Sequence, residues 1–112
     1  MKCRAGDIVL LPFPFSDHTA SKKRPVLVLM EPDKRGDFPA LAITSVPTHD
    51  KAFALIPEHL IEGRLPKPSW IRCSKVYTVN VSLIAGMFGV LQSEAMSSVH
   101  RLFCDHFQCG KQ

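Results

Sequence analysis

The chain has 112 residues, 46% of them hydrophobic and 21% charged, which suffices to bury the core of one domain, leaves no room for two, and excludes a disordered segment. Fourteen Lys and Arg against ten Asp and Glu give a formal charge of +4, a mild bias toward anionic partners that does not by itself separate a nucleic acid from an acidic peptide. No apolar run approaches the roughly 18 residues of a membrane helix, and the opening Met1-Lys2-Cys3-Arg4-Ala5-Gly6-Asp7 lacks an apolar signal region, so a cytoplasmic chain without a membrane partner is expected.

Residues 7–11 read as a first strand, after which Pro12 and Pro14 remove ladder donors. The flanked rings Phe13 and Phe15 are expected to fill a core or an interface rather than stack on bases. Ser16, Asp17, His18, Thr19 and Ser21 supply turn chemistry, and the three cations Lys22, Lys23 and Arg24 lead into a second strand from Pro25 to Met30. A residue before proline is pushed into the extended region, so Arg24 should stand fixed at the mouth of a buried strand. Whatever the protein binds is expected to meet it there.

Glu31 to Asp37 reads as a charged turn, and Phe38 to Pro47 as a third strand. Alternation sets Leu41 and Ile43 on the core face. Ala40, Ala42 and Thr44 then form a small-residue face open to a ligand or a second chain. Ser45 has the core-face parity and is the weaker candidate of the two hydroxyls. Ala52 to Ile56 gives a fourth strand, and Pro57 to Gly63 a single helical turn or irregular connection. Leu65 to Pro68 is a loop, and Ser69 to Cys73 and Lys75 to Val79 are two further short strands. Gly86 to Leu91 is the last strand, its glycines allowing close approach or a bulge.

The period then changes. Ala95, Met96, Val99, Leu102, Phe103 and Phe107 recur at helical spacing within Gln92 to Phe107, predicting one amphipathic helix against the sheet, with Ser93 as N-cap and Glu94 in the first turn. His100 and His106 are expected at its surface and edge, and residues 109–112 as a frayed tail. The four cysteines, Cys3, Cys73, Cys104 and Cys109, contain no Cys-x-x-Cys pair and read as free thiols. His100, Cys104, His106 and Cys109 crowd together in sequence, yet they lack the two close pairs separated by a loop that zinc sites use, so neither a metal nor another cofactor is expected.

Gly6-Asp7-Ile8-Val9, Lys23-Arg24-Pro25-Val26-Leu27-Val28-Leu29, Ala42-Ile43-Thr44-Ser45, and Pro68-Ser69-Trp70-Ile71-Arg72-Cys73 followed by Lys75 occur in that order over most of the chain. This ordered set resembles the PemK/MazF toxins of type II toxin-antitoxin systems. The resemblance implies a mainly β fold with a C-terminal helix, a small SH3-like open barrel spanning residues 1–112 as one domain, and a homodimer. It also implies metal-independent cleavage of single-stranded RNA and neutralisation by a cognate antitoxin whose disordered tail lies along the RNA groove. Carried over by position, Arg24 matches the family's catalytic arginine and Thr44 its catalytic hydroxyl, and the loop from Phe15 to Lys23 matches the mobile loop beside the active site. His18, Lys22, Lys23, Ser45 and Lys75 are expected as accompanying RNA contacts, Lys22 and Lys23 as steering charges. Two departures stand out: the loop is short, and Lys75 stands where several members carry glutamine, so no base-reading contact carries over to it.

Metal-free cleavage uses the neighbouring 2′-hydroxyl as nucleophile and leaves a 2′,3′-cyclic phosphate and a 5′-hydroxyl. The protein must align that hydroxyl, stabilise the added charge on the phosphorane-like transition state, and move two protons. The planar fork of Arg24 suits the charge, and Thr44 can donate to the same oxygens. A guanidinium is a poor base at neutral pH, whereas a histidine is well matched. His18 and His49 lie nearest in sequence, although an ordinary loop position is the simpler expectation for each. Two other outcomes are open. One is a non-enzymatic gyrase-poisoning toxin on the same barrel, disfavoured because Trp70, the single tryptophan, is far from the C-terminus; the other is a catalytically silent RNA-binding barrel.

Overall fold

The computed structural model describes residues 2–12, 23–48 and 50–109. The Pro-Phe-Pro-Phe run beyond Pro12, His18, Lys22, the rest of the expected site-bordering loop up to Lys22, His49 and the last three residues lie outside them. Among the described residues seven strands form one antiparallel sheet: β1 (Asp7–Pro12), β2 (Lys23–Val28), β3 (Asp37–Thr44), β4 (Ala52–Leu55), β5 (Leu60–Gly63), β6 (Ser69–Asn80) and β7 (Gly86–Leu91), followed by the helix α1 (Ser93–Phe107). The spatial order is β4-β6-β3-β2-β1-β7-β5. The sheet is strongly curled into a half-barrel, the expected mainly β open barrel with a C-terminal helix.

The curl follows from connectivity. β4 and β5 stand at opposite margins of the sheet, yet only Ile56 and one 3₁₀ turn, Pro57–His59, separate them in the chain. His59 holds this seam together. Its Nδ1 accepts from the Ile56 N–H at 3.1 Å, its ring lies 4.8 Å from that of Phe53 on β4, and its carbonyl accepts from the Gln92 N–H at 2.7 Å. The expected helical turn over residues 57–63 is therefore half right. The proline-led turn stops at His59, and Leu60 to Gly63 is recruited as a strand by β7.

Both faces of the sheet are buried. Ile8, Leu27, Leu41, Ile43, Ile71 and Cys73 pack on one side with Ala95 and Val99 of α1. On the other side Val9, Leu11, Val26, Val28, Phe38, Ala40 and Val79 make a second cluster. Near-continuous apolar runs such as Ile8-Val9-Leu10-Leu11 and Val26-Leu27-Val28-Leu29 are what a strand buried on two sides requires. This corrects the expectation for β3. Ala40 is fully buried in the second cluster and Ala42 is buried too, so of that face only the Thr44 end opens outward.

Two other boundaries differ from the sequence reading. The fifth and sixth strands are one, β6, because both segments pair with β3. Helix α1 starts at Ser93 with Gln92, not Ser93, in the capping position. The Gln92 N–H is held by His59 while its carbonyl accepts the first helical bond from Met96 at 3.0 Å, so the anchoring point of the helix is set by the barrel seam rather than by a side-chain cap. At the other end of the helix Asp105 and Lys51 form an ion pair at 2.6 Å, which raises the Lys51 pKa through the hydrogen bond and charge of Asp105. β5 and β7 approach unusually closely where Gly63 pairs with Gly89. A Cβ on Gly63 would overlap the Phe88 carbonyl, and one on Gly89 would come within 2.7 Å of the Glu62 oxygen.

Candidate active site

Successive residues of a strand alternate between its faces. On β2 the parity that sends Val26 and Val28 into the second cluster carries Arg24 to the same face, and on β3 the parity of Phe38 and Ala40 carries Ala42 and Thr44 there. Val26 pairs with Ala42. Arg24 and Thr44 each lie two residues beyond this last pair, and both line one cleft.

β6 contributes through a break in its ladder. Leu41 pairs with Val76 and Ile43 with Ile71, so residues 72–75 all stand opposite Ala42. The extra residues reverse the strand's phase: Ile71 and Cys73 face the core under α1, whereas Tyr77 and Val79 pack with the other cluster. As a result Arg72 and Lys75, three residues apart and expected on opposite faces of a regular strand, line one cleft together with Tyr77. Bulges re-aim side chains in this way and recur beside functional sites.

The cleft has a volume of about 360 Å³ and is lined by Arg24, Thr44, Arg72, Lys75 and Tyr77 over a floor of Ala42 and Ile43. Arg24, Arg72, Thr44 and Tyr77 are half-buried and Lys75 is exposed. Three cations, two hydroxyls and no carboxylate among the described lining residues give the cleft a positive character that suits an anion. The Thr44 Oγ1 accepts from the Val46 N–H at 3.1 Å, which orients the hydroxyl and leaves its proton to be donated. A larger concavity, about 840 Å³, lies elsewhere, with Asp7, Glu31, Asp33 and Glu62 beside Lys2 and Arg4 on its walls. Its mixed charge does not suit a polyanion.

Of the residues nominated from sequence, Arg24, Thr44 and Lys75 are brought together. Lys23 is exposed on the opposite parity of β2, and Ser45 is exposed in the bend after β3; neither lines the cleft. His18, Lys22 and His49 fall outside the described residues. Arg72 and Tyr77 were missed as site residues. Arg72 had been visible only as part of the Trp70-Ile71-Arg72-Cys73 run, and its side is settled by the bulge. Among the described residues no group of three or more His, Cys, Asp or Glu is placed to hold a metal, and none of their helices is long and apolar enough to cross a membrane.

The family model described as "PemK-like, MazF-like toxin of type II toxin-antitoxin system" matches residues 4–107. The chain belongs to that family. No curated protein matches it by sequence. Among solved structures it is similar to an endoribonuclease in complex with its cognate antitoxin from a mycobacterial species, at 12% identity and a TM-score of 0.74 over 98% of this chain and 99% of that one. It is similar to the Mycobacterium tuberculosis toxin MazF-mt6, at 19% identity and a TM-score of 0.67 over 91% and 96%. It also resembles MazF in a MazE-MazF structure from Deinococcus radiodurans, at 14% identity and a TM-score of 0.74 over 100% and 99%. At such identities the likeness concerns the fold, and this PemK/MazF chain carries the cationic cleft on that fold.

Proposed function

We propose that this PemK/MazF chain is an endoribonuclease toxin that cleaves single-stranded RNA at the Arg24–Thr44 cleft without a metal ion. The observation that carries the reading is that Arg24, Arg72 and Lys75 line one cleft together with Thr44, whose hydroxyl is oriented by the Val46 N–H. Phosphodiester cleavage by an internal 2′-hydroxyl asks a protein chiefly for position and for stabilisation of charge on the two non-bridging oxygens.

Arg24 is the central group. Its fork can hold two phosphate oxygens at once and grip harder as charge builds on them, and Pro25 keeps its backbone extended. Thr44 donates to the same oxygens. Arg72 and Lys75 neutralise flanking phosphates, and Lys23, exposed on β2 outside the cleft, adds a steering charge. Tyr77 closes the side of the cleft and offers a hydroxyl and a ring face. The described wall contains no imidazole or carboxylate, so a base for the 2′-hydroxyl is sought in His18 or His49, on the segments that flank β2 and β3 in sequence. The products are a 2′,3′-cyclic phosphate and a 5′-hydroxyl.

The same reading makes the chain a cytoplasmic homodimer whose partner is a cognate antitoxin. The structural relatives solved with an antitoxin support that pairing. Trp70 sits within β6, paired with Thr44 and Ala54, which favours the nuclease over gyrase poisoning through a C-terminal tryptophan. The deciding experiment is end-group analysis of a single-stranded RNA incubated with purified protein in excess chelator. Cyclic-phosphate ends that vanish in Arg24→Ala support the proposal; intact RNA, or cleavage that Arg24→Ala leaves unchanged, overturns it.

A further inference from the structure

The four thiols divide into two kinds. Cys3 and Cys73 are buried, and burial pushes both up, Cys73 to about 11, which leaves them protonated and out of reach of reagents at neutral pH. Cys104 is half-exposed and Cys109 exposed, and the end of α1 brings these two together. Gln108 takes a left-handed conformation (φ 58°, ψ 41°), which turns the chain back on the helix so that the Cys109 N–H donates to the Cys104 carbonyl at 2.9 Å. In a helix end of this kind the two residues joined by that bond place their side chains in contact, and a separation set by one main-chain hydrogen bond falls within the Cα spacing that a disulfide spans.

We propose that Cys104 and Cys109 are a thiol–disulfide exchange site that takes low-molecular-weight disulfides of the glutathione type and ends as an intramolecular disulfide across the helix cap. Cys109 is the attacking sulfur. The neighbouring Cys109 thiol, with desolvation, pushes Cys104 up, so Cys104 keeps its proton while Cys109 stands exposed beside it. In the first step the Cys109 thiolate attacks one sulfur of the small disulfide, forming a mixed disulfide and expelling one thiolate. In the second, Cys104 loses its proton to solvent and attacks the Cys109 sulfur, expelling the second. The two cysteines lose two protons and two electrons, and the small disulfide is reduced to two thiols. The product ties down the last turn of α1, the turn whose Asp105 anchors Lys51 in the connection between β3 and β4.

This site is independent of RNA cleavage, and mass spectrometry reads it directly. Cleavage after Arg101 and Lys111 releases residues 102–111, which contain both cysteines and neither of the others. After the reduced full-length protein is equilibrated with oxidised and reduced glutathione, that peptide should appear about 2 Da below its dithiol mass. The variant Cys104→Ser should stop with one glutathione on Cys109, and Cys3 and Cys73 should stay reduced. The ring should form at least tenfold more readily in the folded protein than in the chain unfolded in guanidinium, where the helix cap is gone. A wild-type peptide that retains glutathione, a disulfide joining two chains, or equal formation in the folded and unfolded chain overturns the proposal.

Discussion

Arg24 and Thr44, each two residues beyond the Val26–Ala42 pair that ends the ladder of β2 with β3, line one cleft. One side chain brings a fixed positive fork and the other a hydroxyl already oriented by the Val46 N–H. Arg24→Ala and Thr44→Ala should therefore each lower the rate of RNA cleavage by about 10²–10³-fold with little change in stability, as expected for groups whose bonds strengthen in the transition state. Arg24→Lys should recover only a small part of the loss, because an ammonium cannot reproduce the two-pronged contact. Single-turnover cleavage of an RNA oligonucleotide, with thermal melts as the folding control, measures this.

Arg72 and Lys75 meet the same cleft through the bulge in β6 and are assigned to flanking phosphates. Removing either should weaken RNA binding across sequences and lower the slope of log affinity against log salt by about 0.7, the value for one single-strand phosphate contact. Fluorescence anisotropy over a salt series reads the slope. An unchanged slope in both Arg72→Ala and Lys75→Ala would remove them from the phosphate path.

The Gly63–Gly89 pair lets β5 close on β7. Gly63 has φ +81°, and a Cβ there would run into the Phe88 carbonyl. Gly63→Ala should cost about 2–4 kcal/mol, since both the backbone conformation and the space oppose it. Gly89→Ala, within 2.7 Å of a carbonyl oxygen, should also destabilise. Urea titration provides the values.

His59→Ala would remove the acceptor of the Ile56 N–H and the ring contact with Phe53 while leaving the main-chain bond from Gln92 in place. A loss of about 1–2 kcal/mol is expected. Because the seam joins the two margins of the sheet, amide exchange should rise in β4 and β5 before it rises in β1 to β3.

Burial raises the Cys73 thiol to about 11 from its ordinary 9.0. The folded protein thus holds a proton that the unfolded chain releases, and stability falls as pH climbs from 9 to 11, whereas below 9 this group makes no difference. The whole loss is roughly 2–3 kcal/mol. Cys73→Ala should flatten that part of the alkaline stability profile, which urea midpoints at a series of pH values would record.

Much of the fold is legible in local chemistry. Runs of β-branched and leucine residues mark the strands at Ile8, Val26 and Leu41, and helical spacing from Ala95 to Phe103 marks the face of α1 that joins the first core. The proline after Arg24 makes its backbone conformation readable before any contact is known. Even the bulge leaves a trace, since the gap at Ser74 that split β6 into two expected strands coincides with the place where its ladder with β3 skips. A skip relative to a partner strand, however, has no signature in the alternation of one strand, so the shared face of Arg72, Lys75 and Tyr77 was not legible.

The sequence by itself determined most of the element types, the cationic approach to β2 and the extended backbone of Arg24, because these depend on dihedral preference and on period, while Thr44 was joined to Arg24 only through the resemblance of their motifs to the PemK/MazF toxins. Tertiary structure alone decided which strand faces are buried, since Ala40 acquires its surroundings from residues as distant as Val9 and Val79. It also decided that β4 and β5, consecutive in the chain, end at opposite margins of a sheet that must curl to accommodate them. The cleft belongs to this second kind. Its cations and hydroxyls come from three strands, and only the register between β2, β3 and the bulged β6 brings them to one place.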